Sequence, residues 1–114
     1  MQTTAIGNHA EQAAAEYLER LGFVIVDRNW RRRDCEIDIV ARKASTIYFV
    51  EVKYRFADGS GSGIEYITPQ KVKRMAYAAS RWVQENHWRG EQMLSGLEVS
   101  GQDYEVTAFV EEIY

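Results

Sequence analysis

A single α/β domain, with a mixed sheet flanked by helices, is what this sequence predicts, and three observations carry the prediction. Two stretches, near residues 8–21 and 68–87, repeat apolar residues at helical spacing. Four shorter stretches alternate or run apolar in the manner of strands. The length, 114 residues, suits one ordinary domain with one hydrophobic core. In chain order the elements read α-β-β-β-α-β, the arrangement of a small sandwich.

The spacing predicts a first helix from about Asn8 to Leu21. Its core positions are Ala10, Ala14, Tyr17, Leu18 and Leu21, and Gly22 stands where a left-handed residue ends a helix. At about 100° per residue, Glu11 falls roughly 75° from the centre of that apolar face. Glu11 is therefore placed at the border, whereas Glu16 and Glu19 point to solvent. Phe23 to Val26 reads as a short strand, and Arg28-Asn29-Trp30-Arg31-Arg32-Arg33-Asp34 as a basic connection.

Glu36 to Val40 alternates, which predicts Ile37 and Ile39 on one face and Glu36 and Asp38 on the other. A turn near Lys43 to Ser45 leads into Ile47 to Lys53, so Cys35–Arg42 and Thr46–Tyr54 are expected to pair as an antiparallel hairpin. A Gly/Ser stretch over 57–63 follows, either a closing loop or a slack connection. Thr68 and the chain's one proline, Pro69, are an N-cap and first helical residue. Val72, Met75, Ala76, Ala79 and Val83 give that second helix its core stripe, and it should stop near Asn86-His87. Residues 88–103 look turn-rich, and Tyr104 to Val110 alternates as a last strand.

Composition narrows the function. No apolar run approaches the roughly 18 residues of a membrane span. The amino terminus has neither a basic stretch nor an apolar h-region, so a cytoplasmic protein without membrane association is expected. Cys35 is the only cysteine and His9 and His87 the only histidines, which leaves no internal disulfide and no ordinary structural zinc site. Cys35 itself reads as a small buried thiol. Any metal should be a hard cation held by carboxylates. The net charge is −3, but residues 28–74 carry eleven basic and six acidic side chains. Positive charge thus gathers in the middle of the chain, where it suits a phosphate-binding surface or a merely solvated face.

That middle segment also carries Asp38, Glu51 and Lys53. Glu51 and Lys53 are two apart on a strand and leave the same face. The apolar run before them marks a central strand, where a carboxylate and an ammonium are costly unless paired, solvated or metal-bound. Asp38 on the neighbouring strand can complete a carboxylate pair, and a divalent cation relieves the repulsion between the two. Magnesium, with manganese as the alternative, commonly takes one or two carboxylates and keeps waters and substrate phosphates. Such a centre suits phosphodiester hydrolysis, with Lys53 orienting water or stabilising the transition state and Glu11 contacting a second metal or its water shell. The plain alternative is an ion pair among Asp38, Glu51 and Lys53 with no metal.

At these residues the chain resembles the PD-(D/E)XK nuclease superfamily, and more closely the uncharacterised bacterial YraN-like family within it. The matching pattern is Gly7…Glu11, then Cys35-Glu36-Ile37-Asp38, then Phe49-Val50-Glu51-Val52-Lys53-Tyr54-Arg55, then Lys71. The resemblance spans about residues 7–110. It implies that residues 1–114 form one restriction-endonuclease-like domain, similar to Holliday-junction resolvases. Asp38 and Glu51 would be its metal ligands, Lys53 catalytic and Glu11 an accessory acid. Cys35 stands where the family has glycine, and Asp103-Tyr104-Glu105-Val106 where it shows an Arg-Phe-Asp-Val-like segment.

Arg31, Arg32, Arg33, Arg55 and Lys71 are the candidate phosphate contacts. Trp30 is a candidate for base stacking or, preferably, for core packing. Glu36 shares Asp38's face as a further ligand or a partner of nearby arginines. Trp82 and Trp88 read as structural. The expected partner is nucleic acid, DNA before RNA, with a homodimer as a further expectation and the 88–103 segment and Tyr114 as its candidate contacts. The expected activity is that of a metal-dependent endonuclease. The alternative is a non-catalytic nucleic-acid-binding or assembly module with the same fold.

Overall fold

The computed structural model describes residues 4–56 and 67–113. The elements are α1 (Thr4–Arg20), β1 (Val24–Arg32), β2 (Cys35–Lys43), β3 (Thr46–Arg55), α2 (Pro69–Asn86), β4 (Glu91–Ser100) and β5 (Glu105–Val110). They form a mixed α/β domain, as expected, with one strand more than the sequence pattern suggested. The Gly/Ser stretch 57–63 and Tyr114 lie outside the described residues. No helix among the described residues is long and apolar enough to cross a membrane.

The five strands lie in the order β1-β2-β3-β4-β5. β1, β2 and β3 form an antiparallel meander, and β4 pairs antiparallel with β5. β3 and β4 run parallel over ten pairs, Thr46↔Glu91 to Arg55↔Ser100. Parallel neighbours need a crossover, and α2 is the helix within it. The core therefore divides between the two faces of the sheet. On one, Ala10, Ala14, Ala15 and Leu18 of α1 pack against Phe23, Ile39, Ala41, Val50, Leu97 and Val99. On the other, Met75, Ala78, Ala79 and Trp82 of α2 meet Trp30, Ile37, Val40, Ile47, Phe49 and Leu94. The three alanines let α1 lie close to the strands.

Both helix boundaries follow their chemistry. At the end of α1, Gly22 sits at φ 95°, a left-handed conformation that glycine adopts without a Cβ clash. Its N–H bonds the Glu19 carbonyl and the Phe23 N–H bonds the Leu18 carbonyl, a Schellman arrangement. At the start of α2, the Thr68 hydroxyl accepts from the Lys71 N–H at 3.2 Å, with Pro69 in the first turn. His87 caps its end at φ 54°.

Four expectations are corrected. The basic stretch after Asp27 is not a connection: β1 continues to Arg32, because Trp30 buries its side chain opposite Ile37 and holds the strand in register. Residues 88–103 are not a loop but contain β4, whose Leu94 to Ser100 are all buried between β3 and β5. Ser95 and Gly96 mimic turn chemistry in the sequence, yet small residues suit a strand covered on both faces. On the helices, Leu21 and Ala76 are exposed, and Ala78 and Trp82 take the core positions. Finally, Ile37 and Ile39 do not share a face, and the reason lies at the site.

Candidate functional site

β2 and β3 pair from Lys43↔Thr46 back to Ile39↔Val50, and there the ladder stops. On the other side of β2, Asn29 adopts φ 52° between the pairs Arg28↔Ile39 and Trp30↔Ile37. This local left-handed residue lets β1 and β2 twist together. Ile37 then turns toward α2 while Ile39 stays toward α1. Asp38 stands at the point of departure. Where the next backbone bond would form, its Oδ2 accepts from the Val52 N–H at 2.8 Å. A side chain thus continues the ladder for one bond and brings a carboxylate to the β3 residue beside Glu51.

Asp38 is mostly buried, and burial is the main reason its carboxyl is pushed up from the ordinary 3.8 to about 7. The negative charge of Glu51 adds to the rise, the Val52 N–H opposes it, and Glu11 and Glu36 contribute smaller repulsions. Three further carboxylates thus lie within electrostatic reach of Asp38. Glu11 comes from α1 on the far face. Its carboxyl is also raised, chiefly by burial, against the opposing pull of Asn29, Arg28 and Arg31. Its Oε1 is buried with no hydrogen-bond partner. The border position read from the helical spacing is where the side chain lies.

Asp38, Glu51 and Glu36 line a small recess of about 10 Å³ with Ile37, Phe49, Val50 and Met75. That is space for roughly one water-sized sphere. Beside it opens a cleft of about 720 Å³ between the β1–β2 turn and α2, with Glu51 and Glu36 in both walls. Arg32, Arg33, Lys71, Lys73 and Arg74 bring five cations to the cleft, against Asp34, Glu36 and Glu51. The recess is thus anionic and the cleft around it basic, the polarity needed to admit a phosphate backbone to a metal. The donors are all hard oxygens, which suits Mg²⁺ or Mn²⁺ better than zinc. Among the described residues no three His, Cys, Asp or Glu side chains stand close enough to enclose an ion unaided.

The candidate residues separate into three groups. Asp38, Glu51 and Glu36 line the recess, with Glu11 within electrostatic reach of Asp38 from α1 and Lys53 two residues beyond Glu51 on the same face of β3. Arg32, Arg33 and Lys71 line the cleft. Arg32 is held by both Glu85 carboxylate oxygens and lies with its guanidinium 4.3 Å from the Trp30 ring centre. The Lys71 Nζ reaches the Glu51 Oε2 at 3.0 Å. Arg31 and Arg55 do not line the cleft. Arg31 lies on the Glu11 side, and the Arg55 Nη1 is 3.8 Å from the Glu98 Oε2. Trp30 is buried at 6% exposure and packs in the α2 cluster, so it offers no face to a base. Cys35 is only partly buried. Its thiol is raised by desolvation and by Asp34, which leaves a poor nucleophile.

Two features escaped the sequence reading. Gln70, Lys73, Arg74 and Tyr77 also line the cleft. Their spacings of three and four put them on one stripe of α2, a signal masked by attention to the apolar stripe. Glu98 is a buried carboxylate on β4, directly beside Lys53 in the parallel register. The Thr107 hydroxyl donates to its Oε1 at 2.6 Å. Nothing in a segment that reads as turn-rich marks it.

Comparison with known proteins adds a family. Residues 10–105 match the model of an uncharacterised protein family, UPF0102. Similar chains include a UPF0102 protein of Rhodococcus jostii, 43% identical over 74% of this chain and 73% of its own length. Another, from Sulfurihydrogenibium, is 38% identical over 80% and 79%. A third, from Mycolicibacterium smegmatis, is 45% identical over 73% and 70%.

Proposed function

We propose that this chain, which belongs to the uncharacterised protein family UPF0102 as its YraN-like motifs implied, is a metal-dependent endonuclease hydrolysing phosphodiester bonds of nucleic acid, DNA before RNA. One observation carries the reading. A buried carboxyl, Asp38, is held on the Val52 N–H and pushed up to about 7 beside a second carboxylate, Glu51, at the edge of a basic cleft. A perturbed, desolvated carboxylate pair lining a cleft is the arrangement that catalytic and metal-binding sites use.

Asp38 and Glu51 would hold the ion, because among the described residues they and Glu36 are the side chains that present hard oxygens to the recess. A bound Mg²⁺ or Mn²⁺ supplies polarisation of the phosphate and a lowered pKa for the attacking water. Lys53, leaving β3 beside Glu51, orients that water and offers positive charge to the phosphoryl oxygens as charge builds there. Glu11 brings an unpartnered carboxylate oxygen from α1 and holds a proton or a water at the far side. Arg32 and Arg33 draw the backbone into the cleft. Lys71 exchanges Glu51 for a phosphate when the strand is in place.

The second reading, a non-catalytic nucleic-acid-binding module of the same fold, has the Lys71–Glu51 contact in its favour. That pair balances the Glu51 charge without an ion. Cleavage of single-stranded, duplex and branched DNA with Mg²⁺ or Mn²⁺ separates the two. The nuclease reading expects nicked products that EDTA abolishes. It expects Asp38→Ala to lower the rate by about 10³-fold, as removal of several kcal/mol of transition-state stabilisation requires. Equal background from wild type and Asp38→Ala on every substrate leaves only the binding module.

A further inference from the structure

The catalytic reading makes no use of Tyr77, although Tyr77 is the one aromatic side chain among the described residues that lines the basic cleft. The residue is 48% exposed on α2, yet its side chain is not loose. The hydroxyl donates to the Asp34 Oδ2 at 2.5 Å, across to the β1–β2 turn. Arg81, one helical turn on, donates to the Asp34 Oδ1 at 2.8 Å and to the Tyr77 hydroxyl at 3.2 Å. Its guanidinium carbon is 5.9 Å from the ring centre. The Asp34 carboxyl is held below its ordinary range, first by the Tyr77 hydroxyl and then by Arg81, so the tether rests on a full negative charge. An exposed ring whose tip is pinned in this way has its orientation set in advance, which reduces the entropy lost when something stacks on it.

What stacks is indicated by the neighbours. Lys73 and Arg74 precede Tyr77 by four and three residues, so they share its side of α2, and both line the same cleft. Cations to hold phosphates and a flat ring between them are the two parts of a single-strand binding surface. In a duplex each base is already stacked on its neighbours and has no free face for a side chain. Only an unpaired strand can use both parts.

We propose that the cleft takes an unpaired nucleotide strand, with one base stacked on Tyr77 and the flanking phosphates on Lys73, Arg74 and Arg33. The proposal deepens the nuclease reading by naming the substrate class, and it rests on the nucleic-acid part of that reading. Tyr77 follows Lys71, the residue that contacts Glu51, by six positions. That is roughly 9 Å along the helix axis at 1.5 Å per residue. A base gripped at Tyr77 therefore lies within a few nucleotides of a phosphate held at Asp38 and Glu51. A substrate with a single-stranded arm next to the scissile bond fits this spacing.

The test is fluorescence anisotropy with labelled oligo-dT, oligo-rU and a matched DNA duplex, in EDTA so that cleavage does not intervene. Wild type should bind oligo-dT or oligo-rU more tightly than duplex. Tyr77→Ala should weaken single-strand binding on the order of tenfold and leave duplex binding unchanged, as loss of one stacked base implies. Tyr77→Phe, which keeps the ring but loses its tether to Asp34, should fall between wild type and Tyr77→Ala. Alanine is the best helix former, so the substitution leaves α2 intact. Equal affinity for single strand and duplex with no effect of Tyr77→Ala overturns the proposal, as does absence of binding to any strand. Because the assay needs no catalysis, the first of these outcomes leaves the nuclease reading standing on its own cleavage result. A Tyr77-dependent single-strand preference in a protein that never cleaves upholds the cleft assignment without the nuclease.

Discussion

The two ends of the β2–β3 hairpin differ sharply in chemistry. At the closed end, from Ile39↔Val50 to Lys43↔Thr46, the backbone ladder is regular and Val40, Ala41, Ile47 and Phe49 are buried beneath the helices. At the open end the ladder has given out. Asp38 substitutes a carboxylate for a carbonyl on the Val52 N–H, and the negative charges of Glu51, Glu11 and Glu36 act on it. The first end is stabilised by burial, and the second holds charge that burial opposes. The hairpin thus supports a costly site with ordinary sheet immediately next to it.

The largest expected effect lies at the closed end. Phe49 is fully buried and packs edge-on to Trp82, with ring centres 5.7 Å apart. Phe49→Ala should destabilise the fold by about 3–5 kcal/mol in urea unfolding. A loss under 1 kcal/mol would show that this end does not support the other.

The open end should respond to pH in the opposite sense to a salt-bridged acid. The Asp38 carboxyl sits at about 7 in the folded chain and near its ordinary 3.8 when unfolded. Between those values the folded state binds the extra proton, so stability falls as pH rises from about 4 to 7 and stays low above. Three units at about 1.4 kcal/mol each set an upper bound of about 4 kcal/mol. Asp38→Asn keeps an acceptor for Val52 and has no charge to develop. It should therefore be the more stable protein at pH 8, while the two converge at pH 4. Mg²⁺ should raise the melting temperature of wild type at pH 8 and leave Asp38→Asn unmoved. Parallel pH profiles for the two proteins would refute the strained carboxylate.

The smallest effect concerns Lys71. Its contact with Glu51 is about one-quarter exposed on both sides, so Lys71→Met should change stability by no more than about 1 kcal/mol. It should nevertheless tighten Mg²⁺ binding, measured by calorimetry, because Glu51 is no longer shared. If Mg²⁺ affinity drops instead, Lys71 assists the ion rather than competing with it.

How much of this was legible in the sequence depended on whether a local rule decided the outcome. The hairpin, Gly22 and Thr68-Pro69 followed from periodicity and capping. Glu11 at the border of α1 followed from helical angle alone. β4 was hidden because its Ser95, Gly96 and Ser100 are small for packing reasons, while such residues in isolation signal turns. Gly90 at its start is likewise required by contact, since a Cβ there would meet the Ser45 carbonyl oxygen at 2.3 Å. β1 was cut short because five of its nine residues are polar or charged, and only Trp30 anchors its outer half.

The sequence by itself determined the α/β class, the family, and the presence of Asp38, Glu51 and Lys53 on neighbouring strands. Strand alternation and helical spacing are local, and motifs survive in linear order. Tertiary structure alone decided that Ile37 and Ile39 face opposite ways, that Glu51 meets Lys71, and that Arg31 and Arg55 stand away from the cleft. It also decided that Tyr77 joins the cleft. Each of those facts depends on where β2 leaves β3 and how α2 lies across the opening. Such choices are made by packing between residues far apart in the chain, which no local pattern records.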